Sequence, residues 1–442
     1  MKLLAISFIL SFLYSCSFDN KTGIWKNNED TISKSNTDSF VGFKPLVTSK
    51  DTFDRIISLK KNYKFTIPKK INNKSWQDIY YNRGNNLDNF ALNSKKNLIF
   101  KSKKISNHKL NNYFLFDKDN LITNDYRGNI IVFSIKENKV LNKFNFYKKK
   151  FKKIKKKLNL ILRGDIIYVT DNIGFVYAFD FINNKVIWAK NNKIPFRSNL
   201  KIIDEKLVAA DQNNNLYIFS VKNGDLIKLI PTEDTQIKNN YKNNFSSNEY
   251  SSFLLNTYGS LYAIDNKNNE VKWVINLNQS IDLNPRSLFT GNQLVNNNNI
   301  IVVTSHEATY IIDTLTGTLI HKLNIISQIK PLIANNYLFL VSKNNLLICL
   351  DMITGKVIYS YNINQKIAEF LEIKEKKANL KSIMMANDKI LILLKNSYFL
   401  EININGNLEN VFKFKNKINS NIVFLNRSIL YLDSKNKIVI IG

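Results

Sequence analysis

The sequence predicts an all-β fold: an eight-bladed β-propeller of four-stranded antiparallel blades, closed by an N-terminal strand that completes the last blade. Three observations carry this expectation. A strand–turn–strand unit recurs along the 442 residues at a period in the low forties, the range of propeller blades. Every complete copy has Gly or Asn at one fixed place in its turn. The last copy lacks its final strand, and a strand of the same kind stands near the start of the array.

The clearest unit runs from Gly174 through Val176, Tyr177, Ala178 and Phe179 to Asp180, turns at Asn184, and continues to Trp188. It recurs from Gly259 to Asp265, Asn269 and Trp273. Shorter or weaker copies end at Ser134, Ser220, Asp313, Asp351 and Ile402, so these anchor positions fall 38 to 51 residues apart. The apolar run before each anchor is rich in β-branched and aromatic residues, which marks a strand. An Asp or Ser there can accept hydrogen bonds from the N–H groups of the turn that follows. Four residues on stand Asn138, Asn184, Gly224, Asn269, Gly317, Gly355 and Gly406, the two residue types that best tolerate a left-handed turn position. Eight residues after the anchor the chain places Trp188, Trp273 and Tyr359, but Asn142, Lys228, His321 and Asn410 in the other copies.

A second strand type precedes each unit, as in Ile166–Thr170, Lys206–Ala210, Ile300–Thr304, Tyr337–Val341 and Lys389–Leu393. Three strands of each blade are thus visible, and the fourth is inferred to be the outermost. Radial repetition protects the edges of so many short sheets and buries both faces. The final copy, Ser428–Leu432 with Lys437–Ile441, is short by one strand, and the stretch Asn97–Phe100 matches the missing piece. The expected organisation is a signal segment over 1–15, a mostly irregular tether over 16–75, and the propeller over 76–442.

The amino-terminal segment reads as an export and anchoring signal. Lys2 precedes the apolar run Leu3–Leu13, which as a helix would rise about 16 Å against a hydrocarbon core of about 30 Å. It is too short to span and suits a signal-peptide core. The run ends in Leu13-Tyr14-Ser15-Cys16, which resembles the bacterial lipoprotein box. That resemblance implies cleavage before Cys16 and acylation of its sulfur, so that the protein is held on a membrane surface. Ser17 after the cysteine implies sorting to the outer membrane, facing the periplasm. The remaining cysteine, Cys349, lies in an apolar strand and reads as a small buried hydrophobe.

Composition narrows the function. The chain has 64 Lys and Arg against 35 Asp and Glu, a formal charge of +29. Abundant Lys, Asn and Ile with scarce Gly and Pro point to an AT-rich coding bias behind part of that charge. The densest run, Lys148–Lys157, reads as a solvated connector between sheets, with anionic lipid head groups or an acidic protein as its functional alternative. Nucleic acid is not an expected partner of an exported chain. Two cysteines and three histidines leave little material for thiol or metal chemistry. Nucleophile-elbow, zinc-protease and phosphate-loop motifs are absent from the sequence. Asp180, Asp265, Asp313 and Asp351 read as turn residues and not as paired catalytic carboxylates. The expectation is a non-enzyme without cofactor, metal or small-molecule substrate.

The units Asp313-Thr-Leu-Thr-Gly317 and Asp351-Met-Ile-Thr-Gly355, with the Asp180–Trp188 spacing, resemble the pyrroloquinoline-quinone-type propeller repeat. With the lipoprotein anchor and the stretches Asn72–Gln77 and Arg83–Asn86, the chain is similar to the BamB family, accessory lipoproteins of the machine that assembles β-barrels in the outer membrane. The resemblance implies a propeller without an active site that binds periplasmic domains of the barrel-inserting subunit, alongside the other subunits of the complex. It implies contact through a loop whose pattern falls here on Ile194-Pro195-Phe196-Arg197. Ile194 and Phe196 would be apolar anchors, and Arg197 a fork-shaped donor for a partner carboxylate. The family's acidic contact in the following blade has no counterpart in 239–252, where Glu249 is the single acid. A quinone-dependent dehydrogenase shares the repeat, but it needs a calcium cage and, typically, adjacent cysteines, which this chain lacks.

Overall fold

Asp180 shows how one unit folds. Its Oδ1 accepts from the backbone N–H of Ile182 at 3.0 Å and of Asn183 at 2.9 Å, and Asn184 then turns the chain at φ 53°. Asp265, Asp313 and Asp351 make the same pair of bonds in their own turns. All seven Gly and Asn positions of the repeat have positive φ, from 52° at Asn138 to 90° at Gly406. The repeat is therefore written in turn chemistry, the Asp and Ser anchors closing the hairpin between the third and fourth strands of a blade, with Asn403 beside Ile402 doing so in blade seven.

The computed structural model describes residues 53–234, 242–278 and 289–442, together with the short strands Cys16–Phe18 and Trp25–Asn27. The chain divides into two compact units, 1–50 and 51–442. In the first, Cys16–Phe18 pairs antiparallel with Trp25–Asn27. The signal segment 1–15 and the Cys16 side chain lie outside the described residues. Among the described residues no helix is long and apolar enough to cross a membrane.

The second unit is an eight-bladed propeller of antiparallel sheets. Blade one comprises Leu115–Asp117, Asn120–Asn124, Asn129–Ser134 and Lys139–Asn145. Blades two to seven begin at Leu158, Lys201, Asn244, Val295, Leu332 and Leu380. Blade eight is Val423–Leu425, Ser428–Leu432 and Ile438–Ile441, and Leu98–Lys101 supplies its fourth strand. Val439 pairs with Lys101 and Ile440 with Phe100. The ring therefore closes through the strand expected from the sequence.

One expectation is reversed. The strand that the sequence does not reveal is the innermost of each blade and not the outermost. First strands of neighbouring blades approach one another, whereas fourth strands such as Lys139–Asn145 are largely exposed. Most inner strands are short, only two residues at Val295–Asn296 and three at Lys201–Ile203, too little for a periodic signal; those of blades two and seven run to six and seven residues. The helix Ile363–Leu371 between blades six and seven is also unforeseen; Asn362 caps it by accepting from Asn364 and Gln365 N–H.

Adjacent blades are locked by the residue eight places after the anchor. Trp188 donates its indole N–H to the Val221 carbonyl of blade three at 2.9 Å, and Trp273 donates to the Thr314 carbonyl of blade five at 3.2 Å. His321 Nε2 lies 2.9 Å from the Ile353 carbonyl, and Asn142 donates to the Phe181 carbonyl at 3.2 Å. Where Lys228 replaces the aromatic residue, Lys206 of the same blade reaches the Asn266 carbonyl and Asn269 Oδ1 of blade four. The aromatic residue is lost in blades one, three and five, but a hydrogen-bonded bridge to the next blade is kept there.

Residues 53–75, assigned from the sequence to the tether, belong to the propeller unit. Phe53 N–H donates to the Asn324 carbonyl at 2.9 Å, and Ile57 pairs with Ser360. Tyr63 and Phe65 place their rings 6.5 and 5.1 Å from that of Tyr337. The backbone is irregular, yet its apolar side chains bury against blade six.

Candidate functional site: a filled hub and a rim loop

The segment 73–93 turns around the inside of the ring and bonds to every blade in succession. Trp76 exchanges two backbone hydrogen bonds with Phe116 of blade one, at 2.7 and 2.8 Å, and the Gln77 carbonyl accepts from Leu162 of blade two at 2.8 Å. Asp78 meets Lys201 of blade three. The Arg83 carbonyl accepts from Ser247 of blade four, and the Gly84 carbonyl from Asn296 of blade five, both at 2.9 Å. Asn86 exchanges two bonds with the Ile333 backbone of blade six. Asn89 and Phe90 add a parallel strand to Leu380–Ala386 of blade seven. Asn73 and Asn93 then bond to Asn426 and Arg427 of blade eight. These contacts cluster towards the C-terminal ends of the inner strands, so the segment closes the hub on that side.

Local chemistry explains why the segment stays there. A Cβ at Gly84 would fall 2.5 Å from the Asn296 carbonyl oxygen, so only glycine permits this approach. Asn85 is fully buried and donates to the carbonyls of Phe245 and Leu294 at 2.9 Å each, joining blades four and five. Lys201 is buried as well and donates to Asp78 Oδ2 at 2.6 Å, the Asn82 carbonyl at 2.7 Å and Asn85 Oδ1 at 2.6 Å. All three ammonium protons are used. Burial pulls the lysine below its ordinary pKa, and the Asp78 charge opposes that shift.

Towards the N-terminal ends of the inner strands the hub opens as a funnel of about 330 Å³. Tyr80 and Leu87 of the hub segment contribute to its lining, with Phe114, Ile329, Ile383 and Ile422 of the blades adding apolar wall. Tyr80 and Tyr113 stand edge to face in it, with centroids 5.3 Å apart. Lys330 and Lys381 also line it. Lys330 donates to the Asn85 carbonyl at 2.5 Å, and burial together with the nearby Lys201 charge lowers its pKa to about 7. Lys381 donates to the Ser420 carbonyl at 2.6 Å, and burial lowers it to about 8.

The rim loop after Trp188 holds the residues expected to contact a partner. Ile194 and Arg197 are half-buried there. Phe196 is not on the surface: it is 2% exposed, with its ring 5.7 Å from Tyr217 and 6.3 Å from Phe219. In this conformation the ring packs into the core between blades two and three. The loop is pinned by Phe196 N–H to the Asp171 carbonyl at 3.0 Å and by Arg197 N–H to the Ala210 carbonyl at 2.9 Å. Partial burial lowers the Arg197 pKa.

A second family of repeated carboxylates escaped sequence reasoning. Asp171 closes the turn between the second and third strands of blade two, accepting from Ile173, Gly174 and Phe175 N–H at 2.8 Å each. Asp125, Asp211 and Asp433 each accept from two N–H groups of the corresponding turn in blades one, three and eight. The signal was Asp followed three residues later by Gly or Asn, as at Asp125–Gly128, Asp171–Gly174, Asp211–Asn214 and Asp433–Asn436. Both carboxylate families are engaged in turns on separate blades.

The hub residues do not fit a calcium-held quinone. Among the described residues no three His, Cys, Asp or Glu side chains cluster as metal ligands. Of the hub segment's two carboxylates, Asp78 is ion-paired with Lys201 and Asp88 accepts from the Tyr81 hydroxyl at 2.7 Å, and the funnel presents ammonium groups where a cation would need oxygen donors. The lysine run 148–157 is an ordered connector between blades one and two: Phe151 packs edge-on against Phe175 at 5.6 Å, and buried Lys156 donates to the Phe151 carbonyl.

Four-stranded blades with Asp-closed outer hairpins and blade-bridging indoles, set around a hub filled by the chain itself, define a quinoprotein-type eight-bladed propeller. A family model described as outer membrane protein assembly factor BamB matches residues 101–322, half of the chain, and the chain belongs to that family. BamB from Moraxella catarrhalis is similar in structure, with 11% identity, 78% of this chain and 99% of that chain covered, and a TM-score of 0.60. So is a europium-containing methanol dehydrogenase, with 9% identity, 83% and 89% covered, and a TM-score of 0.57. A computationally designed protein, Ika8, has 10% identity, 77% and 99% covered, and a TM-score of 0.55. At these identities the likeness shows the fold alone. No curated protein sequence matches the chain.

Proposed function

We propose that this chain is a non-enzymatic scaffold of the outer-membrane β-barrel assembly complex, anchored through acylated Cys16 and facing the periplasm. The observation that carries this reading is the filled hub in a member of the BamB family. The axial position, where a propeller enzyme would hold its cofactor, is occupied at one end by 73–93. The scaffold role then falls to loop surface. In this reading the rim loop binds a periplasmic domain of the barrel-inserting subunit through Ile194 and Arg197, while Phe196 shapes the loop from below. Half-burial pre-orders the Arg197 guanidinium and lowers the entropy lost on pairing with a partner carboxylate.

The test is co-purification from solubilised envelopes with wild-type, Arg197→Glu and Ile194→Asp chains. Loss of the barrel-inserting subunit with either variant, while the variant stays folded and membrane-bound, is the expected result. Undiminished recovery with both would overturn the assignment of the loop. Incorporation of labelled palmitate that Cys16→Ser abolishes is expected for the anchor, and labelling that persists in that variant would remove it.

A further inference from the structure

The funnel holds a chemical imbalance. Lys330 and Lys381 are half-buried in its wall, and among the described residues lining the cavity there is no carboxylate. The Asp78 carboxylate beneath them is committed to Lys201 at 2.6 Å. Lys330 makes one hydrogen bond, to the Asn85 carbonyl, and an ammonium group can donate three. Burying a cation without a counter-ion is costly, and the cost falls when an anion enters the same site. The rest of the wall suits an organic body: Ile329, Ile383 and Ile422 offer apolar surface and the Tyr80–Tyr113 pair offers aromatic edges and hydroxyls. A concave cavity of about 330 Å³ whose wall combines apolar surface with polar groups has the form of a small-molecule site.

We infer that the funnel is a binding site for a small organic anion, an oxyanion head on an apolar body, with the head between Lys330 and Lys381 and the body against Ile329, Ile383 and Ile422. The low pKa values of the two lysines support this, because both groups gain from an incoming negative charge. The site is separate from the rim loop and does not depend on the scaffold reading.

Titration calorimetry on the full chain in a buffer free of multivalent anions tests it, with octanoate and octyl phosphate as probes and octanol as the uncharged control. Saturable binding of at least one anion, one per chain, with octanol at least tenfold weaker, is expected; which anion is preferred tells a carboxylate head from a phosphate head. Lys381→Met and Lys330→Gln should each weaken binding at least tenfold while circular dichroism remains that of the wild type. Equal binding of octanol, no binding of either anion, or unchanged affinity in both folded variants would each overturn the proposal.

Discussion

Trp188 of blade two lies over Gly224 of blade three, and a Cβ at Gly224 would fall 2.7 Å from Cδ2 of the indole. The glycine serves two ends at once: its φ of 72° makes the turn, and its missing side chain makes the seat for the ring. The ring's N–H bonds the Val221 carbonyl in the same turn. Trp273 over Gly317 repeats the relationship between blades four and five, and His321 over Gly355 between blades five and six.

Trp188→Ala should therefore destabilise the propeller by about 3–5 kcal/mol, the usual cost of deleting a buried aromatic residue. Gly224→Ala should also destabilise, through a clash and an unfavourable backbone at once. Urea unfolding followed by tryptophan fluorescence and circular dichroism gives both values. A loss below about 1 kcal/mol for Trp188→Ala would place the stability of the blade interface elsewhere.

The turn residues were legible in the sequence because their signal is local. Asp180 and Asn184 act within five residues of one another, and so do their counterparts in each blade. Ring closure was legible because the missing strand, Leu98–Lys101, is apolar enough to be noticed. The burial of Phe196 was not legible because it is decided by Tyr217 and Phe219, some twenty residues away in the next blade. Lys330 and Lys381 could not be singled out in a chain with 64 basic residues. Only the folded ring turns them from ordinary surface lysines into the lining of a cavity. Trp76 and Gly84 stood out as a motif, but their circuit of the hub depends on one contact from each blade and has no sequence period.

Gly84→Ala tests that circuit. The added methyl would collide with the Asn296 backbone and push the segment out of blade five. Faster hydrogen exchange at the amides of Ser247, Asn296 and Ile333, which bond to the segment, is expected before any change in the outer strands. Exchange unchanged at all three would mean that the neighbouring blades accommodate the methyl without moving the segment.

The buried Lys201–Asp78 pair gives a third prediction. Removing one partner leaves the other buried without its counter-charge, so Lys201→Met or Asp78→Leu alone should each cost about 3–5 kcal/mol. The double variant should recover a good part of that, because neither charge then remains. A cycle of four urea titrations measures the coupling. Strictly additive losses would show that the two side chains act through separate contacts.

Lys330 gives a dependence on pH. Its folded pKa of about 7 lies below the ordinary lysine value of 10.5. Below pH 7 the group is charged in both folded and unfolded chains, and the full cost of burying the charge is present. Between pH 7 and 10.5 the unfolded chain holds the extra proton, so this site's contribution to stability rises with pH. The groups that act on it are the Lys201 ammonium, which lowers its pKa, and the Asp78 carboxylate, which raises it. Lys330→Met should therefore gain stability over the wild type below pH 7, and the gain should shrink steadily towards pH 10. Melting temperatures of the two chains at pH 6, 8 and 9.5, without added anions, measure the difference. A difference that stays constant over this range would show that Lys330 titrates as an ordinary surface lysine and that the cavity around it is wet.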